Sequence, residues 1–544
     1  MSEEDNRIKS VKKSFGIRCE VSLKFILSVL PMLPKSAPSG SPCPDAPPRE
    51  ESITAAKELS TPQNEEDTVR IIELNGPKDP LSPLNKSSLE KWVIIVVISL
   101  SSFSVTCCSS MVAYTYPQIK SEFHVGSEVA ILGLSLFVFG LGLSPCCFSQ
   151  LLLISNFYFI LVFLGPLSEL YGRRPIYVIS YAFFVIFNIP VATARNIETW
   201  LIGRFLTGFS GSAFLSVSGG TVSDLFLPSQ IGPPMSLYTA SPFLGPVCGP
   251  IISGFINQHL SWRWTFYVVL IAGIINWFLV ALLVPETYLP AILLSKAKSL
   301  RKQGEYVKAP SEKNERKSIV QDVLDACKTP FLLLAMEPMT AVLCLWTSIL
   351  LGLTYMFFGA FTIVYESYEF ETQYVGLTFI GIGIGIVIAS ASYPIWTWFA
   401  QKIANKSGAP APPEECLRRG LVGAVICPIS LFWFAFTTYR DVHWMVSIVA
   451  TIPFGMGTIW SFQAVFTYLV SAFRPVAASA MAANSFARCC FAAAFPLFTP
   501  AMFKRLGTQW ALALCGFLLV AIAPFPFLFF KYGDRLRKGS RFSS

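Results

Sequence analysis

The sequence predicts an all-α membrane protein with twelve spanning helices in two sets of six. Three observations predict it. First, the 544 residues are 53% hydrophobic and only 14% charged, with a mean hydropathy of +0.55, whereas a soluble chain of this length needs far more charged surface. Second, beyond Trp92 apolar runs recur at the length of about 20 residues that crosses a hydrocarbon core. Third, Lys and Arg collect in alternate connections between those runs.

Residues 1–91 stand apart. They are rich in Pro, Ser, Glu and Lys, a composition that cannot bury a core, and are expected to form a disordered cytosolic tail. The apolar run Val21–Leu33 contains Lys24 and is too short to span. Six runs follow within 92–285, at about 92–114, 128–147, 175–193, 199–221, 236–257 and 264–284. The largest polar break, 286–330, is expected to be a cytosolic loop. Six more runs lie within 331–530, at about 337–360, 374–398, 420–437, 445–470, 477–498 and 509–530, and a short tail occupies 531–544. Two equal sets joined by a charged linker are the pattern of a duplicated transporter.

With the amino terminus inside, the inner loops and tail beyond Trp92 hold 21 Lys and Arg. The outer loops hold six: Lys120, Arg195, Arg263, Arg440, Lys504 and Arg505. The positive-inside bias places both ends in the cytosol. One stretch resists this scheme. Residues 129–168 carry no charge, and as a single helix would be about 60 Å long, twice the bilayer core. An added crossing there would turn every later basic loop outward, so the extra residues are expected not to cross.

Several classes of function are excluded. The net charge of +9 is spread along the chain, unlike the dense basic face of a nucleic-acid binder. The 14 Cys show no CxxC or Cys/His zinc spacing, and the three His are far apart, so neither a metal nor another cofactor is expected. Scattered His and the lack of mid-membrane acids argue against a membrane enzyme. No GxxxxGK[ST] loop for ATP is present. No recognisable interaction motif supports a scaffold reading of the tail.

Three groups of residues carry chemistry. The string Gly165 to Pro175, GPLSELYGRRP, joins Gly165 and Gly172, which let helix ends approach, to Glu169, able to pair with a basic group or a helix amino end, and to Arg173 and Arg174, expected to anchor the loop inside. In the fifth run Gly245 and Gly249 lie four apart, as do Pro246 and Pro250, with Gly254 beyond. Small residues at that spacing let backbones touch in lipid, and Gly381 and Gly385 of the eighth run are the expected mates. Arg204 in the fourth run and Arg488 in the eleventh are intramembrane cations, functional by default, although an Arg can also snorkel to an interface. Glu337, at the inner start of the seventh run, is the acid nearest the core.

These motifs resemble those of the major facilitator superfamily. GPLSELYGRRP is similar to its loop between helices two and three, and SPFLGPVCGPIISGF to the Gly-Pro motif of its drug and proton antiporters. VPETYLPAILLSKAKSLRK, FAAAFPLFTPAMFKRLGTQWA and PFPFLFFKYGDRLRK resemble the fungal twelve-span drug:proton antiporters, a group of polyamine, drug and secondary-metabolite exporters. The resemblance covers about 91–538 apart from the segment near 146–161.

The resemblance implies a major facilitator fold, proton-coupled efflux of a small organic molecule, and a multi-pass monomer, lipid its only surroundings, in the plasma membrane, with the vacuolar membrane as alternative. Facilitated uptake on the same fold is the nearest rival, and a non-transporting or defective member, on account of the insertion at the second helix, is the other alternative. It implies that helices 1, 4, 7 and 10 line a cavity, which would bring Tyr114, Arg204, Trp346, Tyr355, Phe358, Trp460 and Phe462 to the substrate. It also implies a part for Arg204 in proton coupling, tuning Glu337. The chain departs from the family in two places. The loop after Asp224 lacks the usual basic residue. About 16 extra residues precede Gly165, and they are uncharged and rich in Phe, Leu and Ile, as a translated fungal intron would be. Sequencing the spliced transcript tests that reading: a main message without the codons for about 146–161 is expected, and one that keeps them overturns it.

Overall fold

The computed structural model describes residues 70–71, 79, 81–144, 172–227, 230–304, 307–310, 319–407, 413–473 and 477–538. The segment 146–161, Gly165 and Glu169 therefore lie outside the described residues.

Twelve apolar helical segments follow one another. In the first set are α1 (Ser88–Met111, continued by Tyr116–Phe123), α2 (Ser127–Leu143), α3 (Arg173–Ala192), α4 (Ile197–Gly211, continued by Ala213–Ser216 and Ser218–Leu225), α5 (Gly232–His259) and α6 (Trp262–Leu283). The second set comprises α7 (Pro338–Glu366), α8 (Thr372–Leu377, Ile380–Ala391 and Tyr393–Ser407), α9 (Arg418–Phe436), α10 (Trp444–Ala472), α11 (Ala477–Leu506) and α12 (Thr508–Ile522, continued by Pro524–Lys538). Among the described residues ten of these are long and apolar enough to cross a membrane; α2 is a shorter apolar helix, and α4 is divided into pieces.

Local sequence explains the ends. Ser87 caps α1 by accepting the Glu90 N–H, and Glu90 supplies the acid of a capping box. Asn196 caps α4 by accepting from Thr199. In α5 the three prolines 242, 246 and 250 remove N–H groups without ending the helix. The carbonyl of Tyr238, which Pro242 cannot serve, accepts the Ser241 hydroxyl instead.

Three expectations need correction. The first helix starts at Ser88, not Trp92, and residues from 79 onward are folded: Leu81 N–H meets the Asp79 carboxylate, and Pro83–Asn85 form a 3₁₀ turn. The central break contains two helices, Leu289–Lys302 and Ile319–Met336, the second running past residue 330. Its Val307–Lys308 pairs with Arg70–Ile71 as a two-residue parallel ladder, β1 with β2.

Packing defines the architecture. α1 rests on α5 and α6, α4 on α2 and α3, and α3 on α6, all within the first six. In the second six α7 pairs with α11, and α9 with α10 and α12, while α8 packs on α10. The two sets meet where α2 lies against α11 and α5 against α8. The outer faces stay apolar: Ile271, Ile274, Ile275, Phe278 and Leu282 of α6 are all exposed, as residues facing lipid should be.

Backbone proximity makes the central contacts. A Cβ on Gly245 would strike Thr106 Oγ1, and one on Gly249 would strike Ser110 Oγ, so both glycines face α1. Gly254 faces the other way: a Cβ there would lie 3.0 Å from the Thr372 carbonyl oxygen, and one on Gly376 would strike the Pro250 carbonyl. Gly381 and Gly385 are not the mates of the fifth run. They pack on α10, at Ile448 and Ile452. The partner of α5 is Gly376, with Gly383 against Val247. Overpacking such a contact costs roughly 1–3 kcal/mol. Gly249→Val is expected to lower the unfolding midpoint of the purified protein, whereas Gly126→Ser, at an exposed position with open space around it and an ordinary extended backbone, serves as a control. Equal stability of Gly249→Val and the parent would refute the contact.

Candidate functional site

Three polar clusters interrupt the apolar interior. The first lies where α3 begins. Gly172 has φ +99°, a left-handed conformation that favours glycine, and a Cβ there would run into Glu286. The Glu286 carboxylate accepts the N–H groups of Arg173 (2.8 Å) and Arg174 (3.1 Å), and those of Thr287 and Tyr288. A carboxylate on the first N–H groups of a helix satisfies orphan donors and meets the positive end of the helix dipole. Arg173, only 7% exposed, places its Nε 3.2 Å from Asp224 Oδ2 and its guanidinium over the Tyr288 ring. Gly220 leaves room for that guanidinium on α4. Arg174 donates to the Ala281 carbonyl. The two arginines thus tie α3 to α4 and α6. Glu286 and Asp224 were missed as site residues, although the Pro-Glu-Thr after the sixth run and the Asp ending the fourth were visible.

The second cluster is Arg204, 0% exposed. Complete burial contradicts the snorkelling alternative. Its Nε donates to Gly133 O of α2 at 3.2 Å, Nη1 to Cys108 O of α1 at 3.2 Å, and Nη2 to Ser109 O at 3.4 Å. The guanidinium lies over Phe137 at 4.3 Å and Phe266 at 5.7 Å. One side chain from α4 therefore gathers α1, α2 and α6. Glu337, 8% exposed, precedes the first turn of α7 and is not among the partners of Arg204, so the structure does not bring the two together.

Polar continuity runs from this cluster into the second set. Ser109 Oγ donates to Thr106 O at 2.6 Å, which leaves Tyr355 OH of α7 as donor in their 2.8 Å bond. Tyr114, in the 3₁₀ turn Val112–Thr115 that links the two parts of α1, is also buried.

Arg488 is the third. It is half-buried and lies over Phe466 (4.8 Å) and Phe462 (5.4 Å) of α10. Phe462 in turn packs against Phe243 of α5, with ring centroids 4.5 Å apart, across the junction of the two sets. Trp346 and Trp460 sit elsewhere. Trp346 packs against Gly420 of α9, and Trp460 donates to Ser392 and meets Trp396, both of α8; these contacts lie within the second set. Phe358 stacks on Phe379 of α8. Among the described residues no group of three His, Cys, Asp or Glu is placed to hold a metal.

A duplicated six-plus-six arrangement with irregular, polar interruptions at the centre defines a polytopic membrane protein of the transporter class. Residues 98–496 match the family profile of the Major Facilitator Superfamily, and the chain belongs to that superfamily. It is 42% identical to "Efflux pump atB" of Aspergillus terreus over 482 residues, covering 87% of this chain and 90% of the relative. It is 37% identical to "Probable drug/proton antiporter YHK8" of Saccharomyces cerevisiae, covering 84% and 86%. A third relative, "Citrinin biosynthesis cluster MFS transporter mrr1" of Monascus ruber, is 35% identical, with coverage of 87% and 93%. Among solved structures, the partially occluded inward-open xylose transporter XylE of E. coli has a TM-score of 0.56 at 17% identity, covering 82% of this chain and 98% of that one; this likeness speaks for the fold.

Removing Arg204 would delete three charge-assisted bonds to carbonyls of two other helices, each worth about 1.5–3 kcal/mol. Arg204→Ala is expected to lower the thermal midpoint in detergent sharply, and Arg204→Lys, which keeps charge but not the fork, less so. An unchanged midpoint for Arg204→Ala would remove the clamp assignment.

Proposed function

We propose that this chain is a proton-coupled exporter of small organic molecules, drugs or secondary metabolites. The observation that carries it is the run of relatives named efflux pump and drug/proton antiporter, 36–42% identical over more than four-fifths of the chain. The site supports the same reading. The two sets meet along two helix pairs, α2 with α11 and α5 with α8, an arrangement suited to halves that rock about a shared site, while the Gly172–Glu286 and Arg173–Asp224 contacts hold α3, α4 and α6 as one body. We assign the face that bears the start of α3 and the central loop to the cytosol, on the Lys and Arg bias. We assign the molecule to the plasma membrane as a monomer.

Coupling needs a group that gains and loses a proton as the cavity turns. Glu337 is a buried acid at the cytosolic start of α7, and we assign it that role without Arg204 as its tuning partner. Arg204 acts instead by holding α1 and α2 in register with α4. Proteoliposomes of the full chain with an imposed pH gradient test the proposal. A fluorescent drug is expected to accumulate against its gradient, and Glu337→Gln to lose that accumulation while counterflow exchange persists. Pumping by Glu337→Gln at the parental rate would discard the proton assignment; accumulation that ignores the pH gradient in the parent would discard coupled export.

A further inference from the structure

We propose that the cargo of this exporter binds as an anion, an aromatic or otherwise apolar molecule bearing a carboxylate or comparable negative group, with the guanidinium of Arg488 as its counter-charge. The inference rests on the export reading and adds the class of substrate.

The argument begins with where charge lies. Every Asp and Glu of α1 to α12 among the described residues falls within about two turns of a helix end or break. Only Arg204 and Arg488 are charged and set deep. Arg204 has its donors on carbonyls of two other helices, with two rings around them. Arg488 differs in each respect. Its side-chain hydrogen bond goes from Nε to Asn484 O, 3.3 Å away in its own helix, and the residue as a whole is only partly enclosed. No carboxylate pairs with it among the described residues. An intramembrane cation is costly unless paired, so a fixed positive charge with no carboxylate beside the junction of the two sets favours a negative ligand.

Its surroundings point to a ligand as well. Asn484, one turn earlier on α11, is 0% exposed and binds Thr347 Oγ1 and Cys344 Sγ through its amide nitrogen, but its Oδ1 has no partner. Gln463 of α10 is 5% exposed, and neither its Nε2 nor its Oε1 has a partner. Helical spacing puts Gln463 one turn from Phe466, the ring under Arg488. Buried amides are almost always hydrogen-bonded, so these open donors and acceptors beside a guanidinium have the composition of a polar head-group site. Phe462, Phe466 and Phe243 supply apolar walls from both sets of helices. A polycation would meet only like charge here.

Three probes with one frame test this: naphthalene-2-sulfonate, 2-naphthamide and (2-naphthyl)trimethylammonium. Binding to the purified full chain is measured by calorimetry, and flux of the two permanently charged probes in proteoliposomes. The sulfonate is expected to bind and move in preference to the ammonium ion. Arg488→Gln is expected to weaken sulfonate binding tenfold or more while amide binding stays within twofold, and Arg488→Lys to restore part of the loss. Preference for the ammonium ion by the parent protein, or unchanged sulfonate binding in Arg488→Gln, overturns the proposal, and the first readout needs no folded variant. Flux without anion preference defeats this inference alone. Anion binding through Arg488 with no flux of either probe defeats the export reading and leaves the anion site standing.

Discussion

α5 touches one neighbour from each half of the molecule at backbone distance, and the rest of the assembly is arranged around that fact. Lipid gives helices no hydrophobic reason to associate, so close packing and polar contacts must hold them. Gly245 and Gly249 let α1 in so near that Thr106 and Ser110 occupy the space a side chain would fill. Less than two turns on, Pro250 and Gly254 present the backbone to Gly376 at the start of α8. The same helix is thus a fixed member of the first six and the sliding surface for the second six. Any side chain added on the α1 face would loosen a bundle; one added on the α8 face would change how the halves meet.

The two deep arginines show how context decides what a buried charge does. Arg204 is saturated, and the carbonyls it collects lie on helices that must keep their register while the halves move. Arg488 is underused, sits on the helix that faces α2 across the boundary, and rests on rings that belong to the boundary. Nothing about the residue type separates these roles. The count of partners does, and that count depends on which helices surround the side chain.

That distinction also marks what the sequence could and could not disclose. Apolar runs and Lys/Arg bias located the helices because period and length are local properties; even so, Ser88 was missed as a start because its capping box lies outside the apolar run. Glycines at i, i+4 announced close contacts but not with whom, and the Gly381–Gly385 pair proved to serve α10. Glu286 was invisible as the partner of Arg173 because 113 residues separate them. The amphipathic helix Leu289–Lys302 was hidden in a segment that composition marks only as polar. Trp346 and Trp460 fell on cavity-lining helices yet turned into their own bundle, since a helix assignment does not say which way a ring faces.

Alternating access requires contacts of two strengths, and the structure supplies both. Within the first half, a carboxylate on two helix N–H groups, a buried Arg–Asp pair and a three-carbonyl guanidinium clamp bind α1, α2, α3, α4 and α6. Charge-assisted bonds of this kind run about twice the strength of neutral ones. Across the boundary the polar links among the described residues are the hydroxyl pair of Ser109 with Tyr355 and a long 3.5 Å bond from the Ser236 hydroxyl to the Ser390 carbonyl, each worth about 1 kcal/mol net or less, beside ring contacts and glycine faces. Breaking the second group while keeping the first costs little and leaves each half intact. A substrate anion on Arg488 would act on that weaker group, because its ring neighbour Phe462 is the one that touches Phe243 of the opposite half.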